Sequence, residues 1–158
     1  MTIQHLKKLE QNKIIRNSKL EGVSESAIKQ VEIRLNIKFP ETYKEYLYLA
    51  GEYNGGLIMF PGHNDLATLS SDLQQKYLKE QLSYANLKID RPFWVFTEMD
   101  SFEQFLFFYL DEDPIDLEVY GVTYRKESDY YVYDLGNKFS EYVDAVIDRS
   151  ILYAQRGY

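Results

Sequence analysis
His5 and His63 are the only imidazoles in the chain, and they lie in separate segments. Neither has a second His, Asp or Glu at the helical spacing that makes a metal triad; His63 is followed by Asp65, but the default for such a residue is a turn histidine facing solvent. There is no cysteine, which excludes disulfides, thiolate zinc sites and cysteine nucleophiles. Ser70–Ser71 has no base partner and no nucleophile elbow around it. The glycine pair of "NGG" (Asn54, Gly55, Gly56) lacks the rest of any phosphate-binding fingerprint. The residue types therefore predict no catalytic residue, no metal and no cofactor.

Carboxylates are the one group present in quantity. Residues 91–158 hold 6 Lys/Arg against 14 Asp/Glu, a net of −8, whereas residues 1–90 hold 12 against 11. Between Arg91 and Arg125 there is no basic residue, and the acids are Glu98, Asp100, Glu103, Asp111, Glu112, Asp113, Asp116 and Glu118. "DEDPID" could offer oxygen ligands to a hard cation, but Pro114 and Ile115 break the calcium-loop pattern. Acid pairs for glycoside or nuclease chemistry could be drawn from the same set. A metal-dependent nuclease would usually add a nearby lysine, and none occurs from 92 to 124. A field of this sign repels phosphate backbones and attracts basic partners, so nucleic acid is not an expected ligand. The tyrosines of "VYGVTYRKESDYYVY", without interleaved cations, read as cross-strand pairs before they read as base-stacking platforms.

The elements that must carry these residues can be read from periodicity. "IQHLKKLEQNKII" has a loose helical spacing. In "SESAIKQVEIRLN" Ser24 is a cap, Ile28, Val31 and Leu35 share a face, and Asn36 suits a left-handed stop. Pro40 suits the first turn of the next helix, whose stripe is Tyr43, Tyr46, Leu47 and Ala50; Tyr48 falls outside it. "NGG" supplies a turn with positive φ. "GLIMF" and "LATLSS" read as short strands. "SDLQQKYLKEQLSYA" reads as a helix with Leu73, Tyr77, Leu78 and Leu82 in register. "PFWVFT" reads as a buried strand, and "FEQFLFFYL" as a strand, with helix as the competing period. "DEDPID" is a loop, "LEVYGVTYR" and "YYVYDL" are strands, and "GNKFSEYVDAVIDRSILYA" is a closing helix with Asn137 as cap.

Helices, then strands around one helix, then a helix predict an α+β fold: one domain over 1–158, with a mostly antiparallel sheet of about six strands flanked by helices. The length of 158 residues and 45% apolar content suit one core. The first residues lack the apolar core of a secretion signal, and no run is long enough to span a bilayer. A cytoplasmic protein without membrane contact is the expectation.

The segment "GVSESAIKQVEIRLNIKFPETYKEYLYLAGEYNGGLI" resembles the opening of the SUKH superfamily, which includes fungal cell-wall-synthesis regulators. The matching residues are Ile28, Glu32 (one place off the strict spacing), Leu35, Phe39, Pro40, Tyr43, Tyr46, Leu47, Asn54, Gly55 and Gly56, and "KFSEYVDAVI" loosely matches the closing helix. In that light Pro40, Tyr43, Asn54, Gly55 and Gly56 are structural signature residues. The resemblance implies a non-enzymatic immunity protein that neutralises a cognate protein toxin, often a basic nuclease domain. The alternatives are a regulatory adaptor of the same fold without a toxin, and an undetected enzyme. Partner contact is expected through Glu98, Asp100, Asp111, Glu112, Asp113, Asp116, Glu118 and Tyr120, gathered on one flank. The oligomeric state stays open, a homodimer included.

Overall fold
The computed structural model describes residues 1–16 and 18–157. Its elements follow as α1 (Lys7–Gln11), β1 (Ile14–Ile15), β2 (Ser18–Lys19), α2 (Glu25–Leu35), α3 (Glu41–Ala50), α4 (Leu66–Leu69), α5 (Asp72–Tyr84), β3 (Phe93–Met99), β4 (Gln104–Tyr109), β5 (Glu118–Tyr124), β6 (Tyr130–Lys138) and α6 (Phe139–Gln155). The strands form a two-stranded ribbon, β1-β2, and an antiparallel meander in the order β3-β4-β5-β6. The fold is α+β, with about six strands, as the sequence predicts.

Local chemistry sets the helix limits. The Ser24 hydroxyl accepts from the Ala27 N–H at 3.2 Å and starts α2; Asn36, at φ 51° and ψ 49°, stops it. Pro40 stands at the N-cap of α3, one place before the first turn. Because proline brings no capping side chain, the free N–H groups of Glu41 and Thr42 donate instead to the carbonyls of Pro114 and Ile115, both at 3.0 Å. Tyr43, Tyr46, Leu47 and Ala50 are all fully buried, while Tyr48 faces out. Gly55 and Gly56 adopt φ of 67° and 84°, and a Cβ on Gly55 would lie 2.7 Å from Leu20 Cδ2. Asn54 Oδ1 accepts from the Gly56 N–H at 3.1 Å and fixes this turn.

Alternation along the strands gives the sheet two faces. Trp94, Leu106, Phe108, Val119, Gly121 and Tyr133 lie on the face toward α3 and α6. There Phe139 meets Tyr43, Phe96 and Phe108 edge-on at centroid distances of 5.5, 5.1 and 5.8 Å. Trp94 Nε1 donates to the Tyr43 hydroxyl at 2.9 Å, which satisfies both buried polar tips. Phe105, Phe107, Tyr109, Tyr120, Val122, Tyr124 and Tyr130 lie on the opposite face. Phe105 to Phe108 are buried on both faces of β4, and that double burial decides the segment as strand.

Several segments depart from expectation. "GLIMF" is an irregular turn: its backbone is held by α6, with the Ile58 N–H donating to Ser150 Oγ and Arg149 Nη2 donating to the Ile58 carbonyl, both at 2.9 Å. "LATLSS" contains the short helix α4, capped by Asp65, whose carboxylate accepts from the Thr68 N–H at 2.9 Å. α1 ends at Gln11, and Ile14 is an exposed residue of the ribbon. α5 turns Leu78 and Leu82 inward but leaves Leu73 and Tyr77 exposed. α6 begins at Phe139 with Lys138, the last residue of β6, as N-cap, so Asn137 lies one place too early to cap it. Gly136, at φ 80°, and the register shift opposite Glu118 to Tyr120 make a bulge that interrupts the outer edge of β6.

Candidate docking surface
α5 reaches the second face of the sheet where Tyr84 lies 6.3 Å from the Tyr130 ring. Beyond that contact the face opens to solvent: Val132 is 39% exposed, and Asp134 is exposed. Strand register sets Asp134 directly opposite Tyr120, and Glu118 opposite Lys138. Tyr120 is half-buried, its ring 4.9 Å from Tyr109 and 5.8 Å from Phe107. Burial raises the Tyr120 hydroxyl above the ordinary tyrosine value, and the charges of Glu112, Asp134 and Glu118 raise it further. Glu112, Asp134 and Glu118 thus all lie close enough for their charges to act on one aromatic ring.

Arg91 closes the far side of this corner. Its guanidinium carbon lies 3.8 Å from the centroid of Tyr109. Nη2 donates to Asp111 Oδ1 at 2.7 Å and to Glu112 Oε1 at 3.1 Å, and Nε donates to Asp111 Oδ2 at 3.2 Å. Hydrogen bonds from Arg91 hold the Asp111 carboxyl below its usual range. The corner thus combines a tyrosine pair with Asp111, Glu112, Glu118 and Asp134 against Arg91 and Lys138.

The eight residues expected on one flank are only partly brought together. Asp111, Glu112, Glu118 and Tyr120 meet at the corner, and Asp113 is on the same loop, exposed, with Oδ1 accepting from the Ile115 N–H at 2.7 Å. Asp116 turns toward the helices, where it accepts from Thr42 Oγ1 at 3.2 Å, the Ser140 N–H at 3.1 Å and Ser140 Oγ at 2.5 Å. Glu98 is 2% exposed and accepts from the N–H groups of His63 and Phe102 at 2.9 and 3.0 Å, so it presents no carboxylate to a partner. Asp100 is exposed but lies in the β3–β4 turn, at the other end of β4 from the acidic loop, roughly 20 Å away along the strand. The expectation of a single flank is corrected accordingly: antiparallel pairing sends alternate turns to opposite ends of the sheet.

Tyr109, Arg91 and Asp134 were not among the expected residues. Asp134 could have been found by closing the β5–β6 hairpin across "RKESD", which pairs Tyr120 with it. Arg91 stands at the border of the uncharged-by-base stretch, and only the fold shows that it returns over two of those acids. Among the described residues no three His, Asp or Glu side chains are grouped closely enough to hold a metal ion, and no helix is long and apolar enough to cross a membrane.

A model of the SMI1 / KNR4 family (SUKH-1) matches residues 22–145, which run from the start of the α2 cap to the first turns of α6. Comparison with curated proteins and with solved structures returned no match. The matched span holds both helices of the signature segment, the whole meander and the acidic corner, and on that match the chain belongs to the SMI1 / KNR4 family (SUKH-1).

Proposed function
We propose that this chain is a non-catalytic binding protein of the immunity type, which acts in the cytoplasm and neutralises a cognate toxin with a basic surface, such as a nuclease domain. The observation that carries this reading is the corner around Tyr109 and Tyr120. Four carboxylates surround two partly exposed rings on a rigid strand pair. Tyrosine gives an interface large contact area at low entropic cost, and complementary charge speeds the encounter. A nuclease surface is basic because it holds phosphate, so a carboxylate-rimmed corner both attracts and occludes it.

The test is capture of the partner from cells that make both proteins, followed by association kinetics. The triple variant Glu112→Lys, Glu118→Lys, Asp134→Lys should associate about tenfold more slowly or worse at low salt and lose most of its salt dependence. A partner that binds the variant at the wild-type rate places its contact elsewhere.

A further inference from the structure
On the opposite face of β6 from Asp134, α6 and the segment 58–60 border an open cleft of about 390 Å³. Its floor depends on a glycine. Gly121 pairs with Tyr133 across the strands, and a Cβ at 121 would lie 2.3 Å from Tyr133 Cζ, so the ring lies flat over the glycine. Met59, Phe60, Leu106 and Leu135 add apolar walls. Tyr142, Arg149 and Tyr153, spaced seven and four residues apart along α6, bring polar groups to it.

Tyr142 and Arg149 both keep donor capacity toward the cleft. Tyr142 is 7% exposed, its side chain lines the cleft, and the Arg149 charge acts on its hydroxyl. Arg149 is exposed, donates one bond from Nη2 to the Ile58 carbonyl at 2.9 Å, and has no carboxylate at ion-pair distance among the described residues. The lining residues include no Asp or Glu, in a chain of net charge −7.

We infer that this cleft is a binding site for a small monocarboxylate with an apolar body: the carboxylate pairs with Arg149 and accepts from Tyr142, and the apolar body rests on Tyr133, Leu106 and Leu135. A cleft near 390 Å³ suits a ligand of one ring or a short aliphatic chain. The site is separate from the acidic corner and does not depend on the docking reading.

The experiment uses the full chain and two matched probes, 3-phenylpropionate and its neutral amide, followed through the backbone amide shifts of β6 and α6. The carboxylate should give saturable shifts at those positions, with the amide about tenfold weaker or worse. Arg149→Gln should weaken the carboxylate about tenfold and leave the amide unchanged, and Tyr142→Phe should weaken the carboxylate several-fold. Equal binding of acid and amide to the wild-type chain overturns the assignment, as does the absence of saturable shifts at β6 and α6. Unaltered carboxylate binding by Arg149→Gln, or binding only of a peptide with a free C-terminus, also overturns it.

Discussion

Glu98, Glu45 and Glu32 carry carboxylates inside at 2, 4 and 5% exposure, and each is spent on backbone N–H groups that no regular element satisfies. Glu32 accepts from Phe39 at 2.8 Å just before α3. Glu45 accepts from Gln4, His5 and Leu6 and so ties the N-terminal segment to α3. Glu98 holds the turn Asp100–Phe102, whose three residues have φ of 53°, 55° and 68°. Left-handed backbone costs about 1–2 kcal/mol for each non-glycine residue, so such a turn needs an anchor. Glu98→Ala should therefore lower unfolding stability by about 1–3 kcal/mol, whereas Asp100→Asn on the same turn should change it by less than about 0.5 kcal/mol. Denaturant unfolding of the two variants checks the contrast. Glu45→Ala should raise hydrogen exchange at the amides of His5 and Leu6 before it affects the sheet. None of these roles was legible in sequence, because a charged residue is outside by default and its exceptions depend on distant N–H groups.

At the scale of elements, the loop from 110 to 117 is a junction. Its carbonyls at Pro114 and Ile115 take the first N–H groups of α3, the Leu117 carbonyl takes the Phe139 N–H at 2.8 Å, and Asp116 takes Ser140 at the start of α6. One loop thus fixes the origin of both helices that cover the sheet. Asp116→Ala should cost about 2–3 kcal/mol by leaving the buried ends of these bonds unmatched, and Asp113→Ala should cost under about 1 kcal/mol. Thermal unfolding of both variants measures the difference. The composition "DEDPID" is correctly read as a loop, but not as a loop whose acids divide between architecture and surface. Helices α2 and α3 and all four strands of the meander were legible, since their periods and caps are local signals. The stretch from 57 to 69 was not, because its backbone is satisfied by Ser150, Arg149 and Asp65 side chains rather than by its own pattern.

The molecule as a whole places its tyrosines in two settings. Tyr43, Tyr46 and Tyr142 are buried in the core, and burial pushes each hydroxyl well above the ordinary value of 10. The folded chain holds these protons more tightly than the unfolded one, so their contribution to stability is complete below pH 10 and falls as the pH rises above it. Phenolate absorbance should accordingly show a group of tyrosines that ionise only with alkaline unfolding, and a stability that declines above about pH 10. Tyr109 and Tyr120, in contrast, stand at the margin with carboxylates around them. The charge asymmetry along the chain was legible, but its arrangement in space was not, because only the hairpin register decides which acids share an end of the sheet.

The most direct measurement is the association rate of the captured partner across a range of salt, for the wild-type chain and for Glu112→Lys, Glu118→Lys, Asp134→Lys. A corner that docks a basic protein predicts a wild-type rate that falls steeply with salt and a slow variant rate that is nearly flat. Superimposable curves for the two chains contradict it.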